Sequence, residues 1–134
     1  MNLIVDASVA IKWGVEEEGS DAAHAVLARS PLVSPDLIAA EIANALWKKG
    51  LRREIGVEQL AYSFEACLRP IDELASTEDL AGRALELAME LKHSAYDCFY
   101  LALAEARDAT FITADGRLLA RLEQGGWAGK FQAL

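Results

Sequence analysis

Asp6, Glu41, Asp97 and Asp115 stand where a lone charge is difficult to accommodate. Asp6 ends the run Leu3-Ile4-Val5, and Glu41 interrupts Ile38-Ala39-Ala40 and Ile42-Ala43. Asp97 leads into Cys98-Phe99-Tyr100-Leu101-Ala102-Leu103, and Asp115 comes just after Thr110-Phe111-Ile112-Thr113. An unpaired buried carboxylate costs free energy, and several together repel one another until some protonate or a cation arrives. If the fold gathers these four, a divalent ion held by oxygen ligands is the economical account of them. Magnesium suits such a set, because it takes hard oxygen donors and keeps several of its waters.

The elements that must position these acids can be read from pattern and punctuation. Leu3 to Val5 reads as a short buried parallel strand, followed by a helix from Ala7 to Trp13 and a solvated turn at Glu16 to Gly19. Ser20-Asp21 caps a helix to about Arg29, and Pro31 to Ser34 holds a second strand. Pro35 is expected at the first helical position of the helix carrying Glu41, which runs to about Lys49 and stops at Gly50. A further helix covers Val57 to Leu68, before a short strand at Pro70-Ile71. Ser76-Thr77 opens a helix to Lys92, and Ser94 opens the next, to Arg107. Thr110 to Thr113 is a β-branched and aromatic strand, Gly116 to Leu122 a short helix, and the tail from Trp127 a last edge strand.

Short apolar strands alternating with helices predict an α/β fold, a three-layer α/β/α domain with a short central parallel sheet over residues 1–134. Asp6 and Asp115 then stand past the C-terminal ends of strands, the edge outside which open α/β sheets bind ligands. Glu41 and Asp97 approach that edge from helices.

The chain has 134 residues, 13 Lys and Arg against 21 Asp and Glu, and a formal net charge of −8. That balance argues against strong non-specific nucleic-acid binding, while leaving room for a nucleic-acid enzyme whose acids are offset by bound cations. Lacking an apolar run of membrane length and a basic leader, the chain is expected to be soluble and cytoplasmic. Cys67 and Cys98 have no paired-ligand spacing and read as buried thiols. With His24 and His93 they make no zinc set. No phosphate-loop or dinucleotide fingerprint occurs, and neither histidine has a motif context that would make Ser8 a nucleophile.

Four segments together resemble a known family. They are Ile4-Val5-Asp6-Ala7-Ser8-Val9-Ala10-Ile11-Lys12-Trp13, the Glu41-Ile42-Ala43-Asn44-Ala45-Leu46 helix, Tyr96-Asp97-Cys98-Phe99-Tyr100-Leu101-Ala102-Leu103-Ala104, and Ile112-Thr113-Ala114-Asp115-Gly116-Arg117-Leu118. In order and approximate spacing they resemble the PIN-domain family, and within it the VapC-type toxins of toxin–antitoxin pairs. The resemblance implies an endoribonuclease dependent on Mg²⁺ or Mn²⁺, usually a homodimer, silenced by a cognate antitoxin protein. It implies Asp6 and Asp97 as the acids most directly tied to the metal, Glu41 and Asp115 at the remaining acidic positions, and Ser8, Asn44 and Thr113 as supporting polar residues. Some relatives carry one more acid where this chain has Gly116-Arg117, so the likeness speaks for one metal more firmly than for two.

Each acid also has a structural reading. Asp6 and Asp115 suit helix N-caps, and Asp97, three residues after Ser94, suits a capping box or the helix dipole. Glu41 is mid-helix with Leu37 and Ala45 at four-residue spacing, so it lacks a local partner. Among the cations, Lys12 fits either the rim of a site or the surface end of its helix. Lys48 and Lys49 fit either a helix C-terminus or an RNA-binding edge, Lys48 lying two turns (~10 Å) beyond Glu41. The competing function is a non-catalytic PIN-like module that binds RNA or protein, and a third is a structural role with a cation bound for stability.

Overall fold

A computed structural model describes residues 2–29 and 31–134. Its centre is a parallel sheet of β1 (Leu3–Val5), β2 (Leu32–Pro35), β3 (Glu73–Ala75), β4 (Thr110–Thr113) and β5 (Lys130–Ala133), in the order β3-β2-β1-β4-β5. β1 (Leu3–Val5) is apolar throughout and at most 1% exposed, because strands flank it on both sides and helices cover both faces. It pairs with β2 (Leu32–Pro35) through Leu3 with Leu32 and Ile4 with Val33. On the other side Leu3, Ile4 and Val5 face Thr110, Phe111 and Ile112 of β4 (Thr110–Thr113). The chain therefore builds outward in one direction through β2 and β3, then crosses back to lay β4 and β5 on the other side of β1. The crevice where the order reverses lies between the C-terminal ends of β1 and β4.

The helices are α1 (Ala7–Gly14), α2 (Ser20–Val26), α3 (Leu37–Leu51), α4 (Leu60–Leu68), α5 (Thr77–Leu91), α6 (Ala95–Arg107) and α7 (Gly116–Glu123). The three-layer α/β arrangement expected from the sequence is the one observed. No helix among the described residues is long and apolar enough to cross a membrane.

Several boundaries differ from expectation for identifiable reasons. Pro35 ends β2 instead of starting α3: it pairs with Ala75 in β3 (Glu73–Ala75), beyond the last residue matched to β1, and the next amide, Asp36 N–H, donates to Ala75 O at 2.7 Å. Gly50 does not stop α3. The helix continues to Leu51, and the reversal falls on Arg53, which takes a left-handed φ of 60°. Pro70-Ile71 is a turn, and the third strand begins at Glu73 after Asp72 has locked the entry. Asp72 N–H donates to Leu32 O at 2.8 Å while its carboxylate accepts from Leu32 N–H at 2.8 Å. The helix predicted to reach Arg29 ends at Val26, and the one from Val57 opens with a 3₁₀ turn to Gln59. The tail strand is β5 (Lys130–Ala133), in register with β4.

The end of α1 packs closely on α4. A Cβ added to Gly14 would lie 2.4 Å from both Cys67 Sγ and the Ser63 carbonyl oxygen, whereas one added to Gly82 in α5 would meet nothing within 4 Å. Gly14→Ala should thus lower stability by about 1–3 kcal/mol through overpacking, and Gly82→Ala should raise it by roughly 0.5–1 kcal/mol through helix propensity. Urea titration of the two variants beside the parent chain measures both signs.

Candidate active site

Asp6 leaves β1 and becomes the N-cap of α1, its carboxylate accepting from Val9 N–H at 3.4 Å. Two hydroxyls hold the same carboxylate: Ser8 Oγ donates to Oδ1 and Thr113 Oγ1 to Oδ2, both at 2.5 Å. Ser8 Oγ also accepts from Ala114 N–H at 2.9 Å, and Thr113 Oγ1 from Asp115 N–H at 3.0 Å. The network ties the end of β1 to the end of β4 across the crevice. Asp115 in turn caps α7, accepting from Arg117 N–H at 2.9 Å and Leu118 N–H at 3.3 Å. Capping and site placement are therefore compatible at both residues.

A cleft of about 290 Å³ opens over this network, lined by Asp6, Ala7, Ser8, Glu41, Asn44, Ala45, Lys48, Asp97, Tyr100 and Asp115. All four singled-out acids border it. So do Ser8, Asn44 and Lys48, while Thr113 lies beneath it, fully buried. Lys12 and Lys49 lie elsewhere. Lys12 Nζ donates to Glu17 Oε1 at 3.0 Å and to the Glu18 carbonyl at 2.7 Å, and it lines a separate cleft with Gly19 and Leu134. Lys49 Nζ reaches Glu17 Oε2 at 2.8 Å. The turn at Glu17, expected to be solvated, is instead anchored by two lysines.

Two residues that pattern alone did not single out touch the acids. Tyr100, only 1% exposed, donates its O–H to Glu41 Oε1 at 2.5 Å. His93 Nε2 lies 2.6 Å from Asp97 Oδ2. The available signal was helical spacing: His93 is four residues before Asp97 and Tyr100 three after it, distances at which neighbours share a face.

The electrostatics match this crowding. Burial pushes the Asp6 carboxyl up to about 7; the Ser8 and Thr113 hydrogen bonds oppose the shift and the charge of Asp97 adds to it. Burial also raises the Glu41 pKa, against its bond from Tyr100 and with the help of Asp97. Tyr100 is itself raised by burial and by Glu41, so it stays a proton donor at this contact. Burial pushes the Cys98 thiol up to about 11, which keeps a thiolate out of the donor set. What faces the cleft is oxygen chemistry with an excess of negative charge, and this fits a hard divalent cation. Among the described residues no three His, Cys, Asp or Glu side chains already close round one point tightly enough to grip an ion. The acids border an open cleft, an arrangement suited to an ion that retains water.

Fold and cleft together define a class: a parallel α/β protein with carboxylates gathered at the strand-order reversal. The chain belongs to the PIN-domain family, whose pattern matches residues 3–124. It is 33% identical over 122 residues to Ribonuclease VapC3 of Pyrobaculum aerophilum, covering 88% of this chain and 92% of that one. It is 32% identical over 116 residues to VapC ribonuclease Mb0985 of Mycobacterium bovis, covering 87% of each. Among solved structures it resembles PAE2754 from Pyrobaculum aerophilum, with a TM-score of 0.71 and 22% identity over 98% of this chain and 83% of the other. It also resembles Mycobacterium tuberculosis VapC20, a sarcin–ricin loop cleaving toxin, with a TM-score of 0.66 and 17% identity over 88% and 93%. At those identities the two structures speak to the fold.

The Asp6 shift has a definite sign. The folded chain holds this proton more tightly than the unfolded chain, so the favourable contribution is complete below about pH 3.8 and is lost as pH rises through about 7. With divalent ions chelated, the melting temperature of the parent should fall relative to that of Asp6→Asn between pH 4 and pH 8. Thermal melts of both proteins across that range test it, and a constant gap would refute it.

Proposed function

We propose that this chain is a divalent-metal-dependent endoribonuclease, the toxin of a type II toxin–antitoxin pair. The observation that carries the reading is the meeting of Asp6, Glu41, Asp97 and Asp115 on one cleft in a PIN-family chain. RNA is the substrate supported by relatives named as ribonucleases. An antitoxin protein is the partner that the likeness to VapC toxins implies.

In this reading Asp6 and Asp97 would hold Mg²⁺ or Mn²⁺, with Glu41 and Asp115 as the remaining acids bordering the same cleft. A bound divalent ion supplies positive charge against a phosphoryl oxygen and makes an attacking water easier to deprotonate. Ser8 and Thr113 keep the Asp6 carboxylate turned toward the cleft. Tyr100 occupies Glu41 Oε1, leaving Oε2 to accept the proton of the attacking water, a task to which a raised carboxylate pKa is suited. His93 fixes one oxygen of Asp97. Lys48 and Asn44 at the rim receive the RNA backbone. Attack at phosphorus with departure of the 3′ oxygen leaves a 5′-phosphate and a 3′-hydroxyl. The chain acts as one domain and as a homodimer in the cytoplasm, and exposed apolar side chains such as Leu85, Met89 and Tyr96 support a covered helical face.

Purified protein incubated with single-stranded RNA should cut it only with Mg²⁺ or Mn²⁺, and Asp6→Asn or Asp97→Asn should lower the rate by at least about 100-fold. Tyr100→Phe, which removes a positioning contact to Glu41, should cost roughly 10–100-fold with the fold retained. Sequencing of RNA ends after controlled expression of parent and Asp6→Asn reads the same activity in cells. Cleavage that persists in chelator would overturn the reading.

A further inference from the structure

A second groove, of about 450 Å³, meets the acidic cleft at the two carboxylates they share, Asp97 and Asp115. Its other walls include His93, Arg117, Arg121 and Gln124, on the approach to α6 and along α7. Several basic side chains elsewhere in this protein are neutralised by acids. Arg83 is paired with Glu86, Glu90 and Glu105, Arg107 with Glu73, Lys12 and Lys49 with Glu17. Among the described residues Arg117 and Arg121 enter no ion pair. Arg121 is nevertheless held in place: Nε donates to the Leu91 carbonyl at 2.7 Å and Nη1 to the Gly125 carbonyl at 3.2 Å. Main-chain carbonyls orient this guanidinium without cancelling its charge. Arg117 is exposed, one turn nearer the acids on the same helix.

We propose that this groove is the second half of the substrate path, binding the RNA backbone phosphates on one side of the cut bond while Lys48 serves the other side. The inference rests on the endoribonuclease reading. Two cations four residues apart on one helix, beginning beside Asp115, suit a repeating anion that passes over the carboxylates and continues along α7. Guanidinium groups match phosphate geometry and stay charged at any working pH. The two grooves meeting at Asp97 and Asp115 give a strand a continuous route, with the bond to be cut above the acids. Sequence alone pointed to Lys12, Lys48 and Lys49 for this role, and of those only Lys48 borders the acids.

Arg117→Gln is the test variant, since the side chain is exposed and its removal leaves the fold intact. Arg69→Gln removes the same charge from the end of α4, which borders neither groove. In Mg²⁺-dependent cleavage Arg117→Gln should raise KM roughly 3- to 10-fold at low salt with kcat nearly unchanged, while Arg69→Gln stays close to the parent. In an Asp6→Asn background, which keeps RNA intact, anisotropy of a labelled single strand should show the same weakening and a salt slope reduced by about 0.7. One neutral methylphosphonate linkage walked along the strand should weaken parent binding at a position flanking the cut, and that penalty should vanish in Arg117→Gln. Equal effects of the two glutamine variants, or an unchanged KM and slope, would overturn the proposal while leaving the nuclease standing. An acidic peptide that binds the groove in an Arg117-dependent manner while RNA does not would overturn it as well. RNA bound through Arg117 yet never cut would keep the groove and remove the nuclease reading. A chain that neither binds nor cuts RNA removes both.

Discussion

A carboxylate at 6% exposure carries a desolvation cost that hydrogen bonds offset only in part, and Asp6 carries it at the point where β1 ends. The fold supplies three donors to this one group: the Val9 amide from the first turn of α1, the Ser8 hydroxyl, and the Thr113 hydroxyl from β4. Thr113 reaches it only because β1 and β4 are neighbours in parallel register, and they are neighbours only because the strand order reverses there. With both of its oxygens engaged and still raised toward neutrality, Asp6 lacks compensating positive charge. Asp97 aggravates that deficit from the helical side and raises Glu41 as well, so the cleft carries an unbalanced negative charge of the kind a cation would relax.

The opposing charges are distributed in a way that keeps this state. In a chain of net charge −8, the local excess of negative charge at the cleft could have been evened out by placing lysines among the acids. Instead Lys12 and Lys49 are drawn away to Glu17, and Arg83 is spent on a surface cluster of glutamates. Surface pairs of that kind add little stability individually. Their consequence is local: no Lys or Arg pairs with Asp6, Glu41, Asp97 or Asp115 among the described residues, and the only basic partner any of them has is a histidine.

Much of this was legible in the sequence because it is carried by short-range pattern. Leu3-Ile4-Val5-Asp6 and Thr110-Phe111-Ile112-Thr113 announce buried strands by composition, and an acid placed just beyond such a strand has few places to go. Edge strands were harder. Glu73-Leu74-Ala75 is exposed on both faces at its start and too short to show an alternation, so its sequence does not set it apart from Pro70-Ile71 nearby. The helix-starting tendency of Pro35 is local, whereas its acceptance at the end of β2 depends on where the β1 ladder stops. Lys12 is held by Glu17 across a turn, and Glu41 reaches the Tyr100 hydroxyl only through the fold, 59 residues away in sequence. Pairings made by tertiary approach leave no periodicity to read.

The last residue of the chain is tied into the same assembly, since Leu134 N–H donates to the carbonyl of Thr113 at 3.0 Å. β5 is thus the outer neighbour of the strand whose hydroxyl holds Asp6. Were β5 to peel away, β4 would become the rim of the sheet, with a row of unsatisfied amides and carbonyls open to pairing with any other extended chain. β5 therefore acts as a selvedge: it moves the open rim of the sheet one strand outward and keeps the ladder of β4 paired, along the strand on which the geometry of the acidic cleft depends.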